Sequence, residues 1–276
     1  MALGFIPSDA VMLAVQAGVV AAPRRPQEIR ALSRLSGRLE PLSGPAWALI
    51  PLGSIIAVVF AIRYASAAAT GLTYLALVAV PPLAAGALGY AARGARPWLA
   101  LVTVPLFVLA WVDHASLAGE GAATLLSALS CVTLGVMLAA VTPPGWLKLG
   151  ILAMAGADVW LVASDLLQAP NATLIAARPL GGLPRLQSEL FGSVSMGYGD
   201  LFVAGLLGAV LAREGRGQRV AAGLTLALAG PFDLLFLVVN ELPATVPVAV
   251  ALILTELFAR RRAAGSAPSL SLGGGS

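Results

Sequence analysis

Charge is what this sequence has least of. Only 11% of its 276 residues are Asp, Glu, Lys or Arg, against about a quarter in an ordinary soluble domain. There is one cysteine, Cys131, which excludes an intramolecular disulfide and reads as a small apolar packing residue. There is one histidine, His114, so an HExxH zinc site is excluded for want of a second ligand. It stands beside Asp113 with no serine motif to pair with it and reads as a solvated interfacial side chain. There is one lysine, Lys148, at a helix start rather than in a late helix, which speaks against a retinal Schiff base. No metal or cofactor is expected. The other sixteen basic residues are arginines, a usage that points to a GC-rich prokaryotic genome and hence to a plasma membrane.

What the chain has is apolar surface: 59% hydrophobic residues and a mean hydropathy of +0.90. A soluble core cannot hide that much, whereas lipid can serve as its solvent. Dividing the chain at charge clusters and turn residues predicts nine spans. They are Leu3–Ala22, Pro45–Ala65, Ala67–Ala92, Trp98–Leu117, Ala122–Val141, Trp146–Gln168, Phe191–Ala212, Arg219–Asn240 and Pro243–Ala259. Pro81-Pro82 is expected to kink the third. The fold class is therefore an all-α polytopic membrane protein with a single membrane domain over 1–262. Spans one to five form a scaffold over 1–145, and spans six to nine follow over 146–262. A Gly/Ser-rich tail over 263–276 reads as disordered.

Fourteen of the seventeen basic residues fall in alternate loops, after the first, third, seventh and ninth spans and beside the sixth. The positive-inside rule then puts the N-terminus outside and the C-terminus in the cytoplasm. The net charge of +4 thus sets orientation, and no nucleic-acid partner is implied.

Acids inside spans are costly and by default functional. Asp158, Asp165, Asp200 and Asp233 qualify. Asp158 lies ten residues past Lys148, roughly 15 Å deep, and Asp200 thirteen residues before Arg213, roughly 20 Å deep. Both are near the midplane of a core about 30 Å thick. They sit on consecutive antiparallel spans, where two carboxylates can share a proton and divide the work of acid and base. Asp165, seven residues on from Asp158, shares its face and remains an alternative partner. The same acids could instead form a polar helix clamp or a relay in a proton-coupled transporter. Asp233 reads as a structural contact, and Glu256 as an i,i+4 partner of Arg260.

The local sequence narrows the choice. "GYGD" at Gly197–Asp200 matches the GxGD signature, and "SMGYGDLFVAGLLGAVLAREG" resembles the presenilin and signal peptide peptidase family of intramembrane aspartyl proteases. "ADVWLV" at 157–162 is similar to the helix carrying that family's first aspartate, although Ala157 stands where Tyr is frequent. "ELPATVPVAVAL" is similar to the Pro-Ala-Leu segment, mapped to Pro243, Ala244 and Thr245, with Thr in place of Leu; Pro247-Val248-Ala249 is the other register. The resemblance covers spans six to nine. It implies an aspartic endopeptidase that hydrolyses peptide bonds within membrane segments, with Asp158 and Asp200 as the catalytic dyad. Gly197, Tyr198, Gly199, Pro243, Ala244 and Thr245 would then meet substrate, and no obligatory partner subunit is expected. The loop between spans six and seven falls outside, the signal-peptide-peptidase arrangement, which implies signal peptides or type II segments as substrates. A rival GxGD family is the type IV prepilin peptidases. "SDLLQAPNATL" at 164–174 is similar to their Asp followed by Pro-Asn and would make Asp165 the partner. They carry a Lys soon after GxGD, where this chain has Phe202.

Overall fold

A computed structural model of the chain describes residues 2–29, 66–166, 168–237 and 242–265, with isolated positions 53, 56, 57 and 60. It is 80% helical. The helices are α1 (Ala2–Ala21), α2 (Ser66–Gly86), α3 (Thr103–Val112), α4 (Leu117–Val141), α5 (Pro144–Ala163), α6 (Gln168–Ala176), α7 (Tyr198–Glu214), α8 (Gln218–Asp233) and α9 (Thr245–Gly265). Strands β1 (Ser188–Phe191) and β2 (Val194–Gly197) form an antiparallel hairpin ahead of α7.

Eight of these helices fall on predicted spans; the sixth span is α5, and α6 is a short helix not predicted. The second span and the tail beyond residue 265 lie outside the described residues. Among the described residues, three segments are long and apolar enough to cross a membrane: Ala67–Ala91, Leu117–Val141 and Pro144–Ala163. Pro7–Ala21 and Pro97–Val112 are shorter apolar segments.

Several boundaries differ from expectation. The third span stays helical through Pro81-Pro82 and is irregular only later, in a π turn over Ala87–Ala91, a widening that accommodates a displaced hydrogen-bond ladder. The fourth opens as a 3₁₀ segment, Pro97–Val102. The sixth ends at Ala163 because Asp165 takes a left-handed backbone, φ 55°, which an α-helix does not continue through. The start of the seventh is not helix at all. Gly192, at φ 61°, turns the chain between β1 and β2, and helix begins only at Tyr198.

Helix α7 is the buried centre: Leu201 and every residue from Val203 to Ala212 are buried. Its most extensive neighbour is α4, and α1, α5 and α9 also pack on it. Glycine makes the α4–α7 approach possible. A Cβ on Gly205 would stand 2.5 Å from the Cys131 carbonyl oxygen.

At one end of the bundle, Lys148 Nζ of α5 donates to Glu214 of α7 at 2.5 Å and to Glu256 of α9 at 2.7 Å. Arg216 pairs with the same two carboxylates. Glu256 thus reaches across to other helices, correcting the expected pairing with Arg260; three helices converge there, and an i,i+4 partner is not its nearest charge. The hairpin and the α3–α4 turn, with Asp113 and His114, lie at the opposite end. There Gly192 N–H donates to Glu120 of α4 at 2.7 Å.

Candidate functional site

Asp200 is placed by the first turn of α7. Gly197 ends β2 and begins the helix, and its N–H donates to Asp200 Oδ2 at 3.1 Å. The carboxylate therefore caps its own helix from the third position and lies against the positive end of the helix dipole. Asp158 comes from the second half of α5. The two carboxylates are within electrostatic reach of each other.

A third helix completes the group. Thr245, the first residue of α9, donates its hydroxyl to Asp158 Oδ2 at 2.6 Å. Pro243 and Thr245 are buried, and the Pro243 carbonyl accepts from Val246 N–H at 3.0 Å. The Ala244 carbonyl accepts from Gln16 Nε2 of α1 at 3.0 Å, and Gln16 is 1% exposed. Gln16 was not among the sequence-derived candidates. Its signal was present, as an amide in an otherwise apolar span.

The remaining candidates divide. A Cβ on Gly199 would meet no atom within 4 Å, so this glycine faces open space and is not a helix-packing residue. Tyr198 turns its hydroxyl to Ser130 of α4 at 2.7 Å, which anchors the start of α7. Asp165 is exposed in the turn past α5 and does not continue the Asp158 helix face. Asp233 lies at the end of α8 within hydrogen-bonding reach of Asp9 in α1. Cys131 is buried and His114 exposed. Among the described residues no three His, Cys, Asp or Glu side chains converge to hold a metal.

Glu189 in β1 is a buried acid that sequence reading passed over. It is 1% exposed, and neither carboxylate oxygen has a hydrogen-bond partner among the described residues. The nearby Ser127 hydroxyl turns to the Leu186 carbonyl, at 3.3 Å. Burial pushes the Glu189 carboxyl up to about 8 from an ordinary 4.5. The folded protein keeps this proton between those values while an unfolded chain releases it. The contribution of this group to stability is therefore full below about 4.5 and is lost as pH rises toward about 8. Thermal unfolding of Glu189→Gln, followed across that range, is expected to lose this dependence.

No protein-family model, curated protein or solved structure matches this chain in the comparisons made.

Proposed function

We propose that this chain is an intramembrane aspartyl protease of the presenilin and signal peptide peptidase kind, resident in a prokaryotic plasma membrane with its C-terminus in the cytoplasm. The observation that carries the reading is that Asp158 and Asp200, on separate helices, lie within electrostatic reach of each other, with Thr245 of a third helix hydrogen-bonded to Asp158. In the proposed reaction one carboxylate takes a proton from water as the water oxygen bonds to the scissile carbonyl carbon. The other, protonated, donates to the carbonyl oxygen. The resulting gem-diol collapses, the C–N bond breaks, and the leaving nitrogen takes a proton from the dyad. Gly199 leaves room for substrate backbone beside Asp200. A substrate helix must unwind to be cut, and lipid offers its freed backbone groups no partners. The hairpin strands, Ser188–Phe191 and Val194–Gly197, offer edges that would supply them.

A prepilin-peptidase-like site would use Asp165, whose exposed position past the end of α5 disfavours it. The test is to reconstitute the purified chain with a labelled type II membrane peptide and look for paired fragments by mass spectrometry. Two complementary fragments are expected. Transport of the peptide or of protons without any fragment would sink the protease reading in favour of a carrier.

Thr245 gives a second, sharper test of the site. A hydrogen bond to a charged group is worth about 1.5–3 kcal/mol. Thr245→Val removes the donor at nearly constant volume, so kcat should fall roughly 10- to 100-fold with little change in KM. Thr245→Ser, which keeps the hydroxyl, should restore most of it.

A further inference from the structure

At the ion-cluster end of the bundle, a cavity of 230 Å³ is ringed by four arginines: Arg25, Arg93, Arg216 and Arg219. They come from three separate stretches of chain. Arg25 follows α1, Arg93 follows the π turn after α2, Arg216 lies in the turn between α7 and α8, and Arg219 is in the first turn of α8.

The ring is built rather than incidental. Arg24 N–H donates to the Ala91 carbonyl at 2.8 Å and Arg93 N–H to the Ala22 carbonyl at 2.8 Å, tying the first two stretches by their backbones. Gln218, 4% exposed, ties in the third. Its side-chain amide donates to the carbonyls of Val20 and Pro23, each at 3.0 Å, and accepts from Arg93. The guanidinium of Arg25 lies over Gly215, within 2.9 Å of where a Cβ would be. Gly217, at φ 70°, caps α8, and it lines the cavity together with the first residues of that helix.

The charge is mostly uncompensated. Arg216 is shared with Glu214 and Glu256, but Arg25, Arg93 and Arg219 have no carboxylate at ion-pair distance among the described residues. All four side chains are exposed, so water screens them from one another, but their concentration around one cavity makes an anion its favoured occupant. With a water occupying about 30 Å³, the volume admits a phosphate and part of its ester.

We propose that this cavity binds the phosphate group of an anionic ligand, and that a phospholipid headgroup of the adjoining leaflet is its source. Exposed apolar Val220 lines the same cavity beside Arg219, so an acyl chain could leave it along the helix surface. The site shares no lining residue with Asp158 and Asp200, and it does not depend on the proposed hydrolysis.

The test uses the full chain in vesicles of phosphatidylcholine with and without phosphatidylglycerol, with native mass spectrometry of retained lipid. Wild type should carry phosphatidylglycerol out of the mixed vesicles and no phosphatidylcholine. Retention should fall on the order of a hundredfold in R25Q/R93Q/R219Q. It should persist in R260Q/R261Q/R262Q, which removes the same charge elsewhere. Should the triple variant fail to fold, Arg219→Gln alone, on an exposed side chain, is expected to weaken retention severalfold. A second arm adds inorganic phosphate or glycerophosphate. Competition at the same arginines assigns the cavity to a free phosphate, and its absence assigns it to the lipid. Equal retention by the cavity variants and wild type, an equal loss in the R260Q/R261Q/R262Q control, or binding of neither phosphate nor phosphatidylglycerol overturns the proposal.

Discussion

Asp200→Asn is expected to lower peptide hydrolysis by about 10⁴-fold while the chain still folds. Asparagine has nearly the shape of aspartate but neither takes nor gives a proton in this role. Its amide oxygen still accepts from Gly197 N–H, so the α7 cap survives. Asp158→Asn should do the same, with the Thr245 hydroxyl still finding an oxygen at that position. The two losses should not add, because a dyad missing either member is already inactive. Asp165→Asn is the control and should cleave like wild type. The measurement is fragment yield from a labelled membrane peptide, alongside circular dichroism on each variant. If Asp200→Asn keeps a tenth of the wild-type rate, or if Asp165→Asn is the inactive one, the assignment of the acids is wrong.

Gly205→Ala should destabilise the bundle by about 3 kcal/mol, near the upper end of what overpacking costs. The new methyl would meet backbone, the Cys131 carbonyl, which has no rotamer to yield. Helices α4 and α7 must part, and every buried residue along α7 shifts with them. Gly199→Ala is the matched contrast. It adds the same methyl into open space and exchanges Gly for a better helix former, so the unfolding temperature should hold or rise. Substrate turnover should nevertheless fall if that space is where the peptide passes. Thermal unfolding in detergent separates the two glycines; similar unfolding temperatures for both variants would show that the α4–α7 contact is looser than described.

Much of this was readable in the residues. Length of apolar run and turn chemistry placed eight helices, with several ends displaced by about five to seven residues. Depth counting from Lys148 and Arg213 placed Asp158 and Asp200 at similar levels, and the structure brings them into reach. The hairpin was hidden for a physical reason: "LFGSVSMG" is apolar enough to pass for the start of a span, and only the left-handed Gly192 breaks it. Glu189 was missed with it, since an acid in a supposed loop raises no cost until the loop is buried. The Thr245–Asp158 bond was out of reach too. A Thr in place of Leu reads in sequence as an imperfect motif, and only the approach of α9 to α5 turns it into a donor. Gln16 stood out as an amide in an apolar span, but its partner, like those of Gln218, is a carbonyl far away in the chain.

The ion cluster has a mechanical consequence. Lys148 grips the acids on α7 and α9 at one end, so α5 and α7 are fastened together there as arms on a common pivot. Asp158 and Asp200 ride those arms some way out from the fastening. With a lever roughly 15 Å long, tilting one arm by about 4° carries its carboxylate about 1 Å. A displacement of that size is enough to cost about a hundredfold in rate. If the proposed hydrolysis holds, a single ammonium far from the two aspartates thus sets the gauge of the gap that water would occupy.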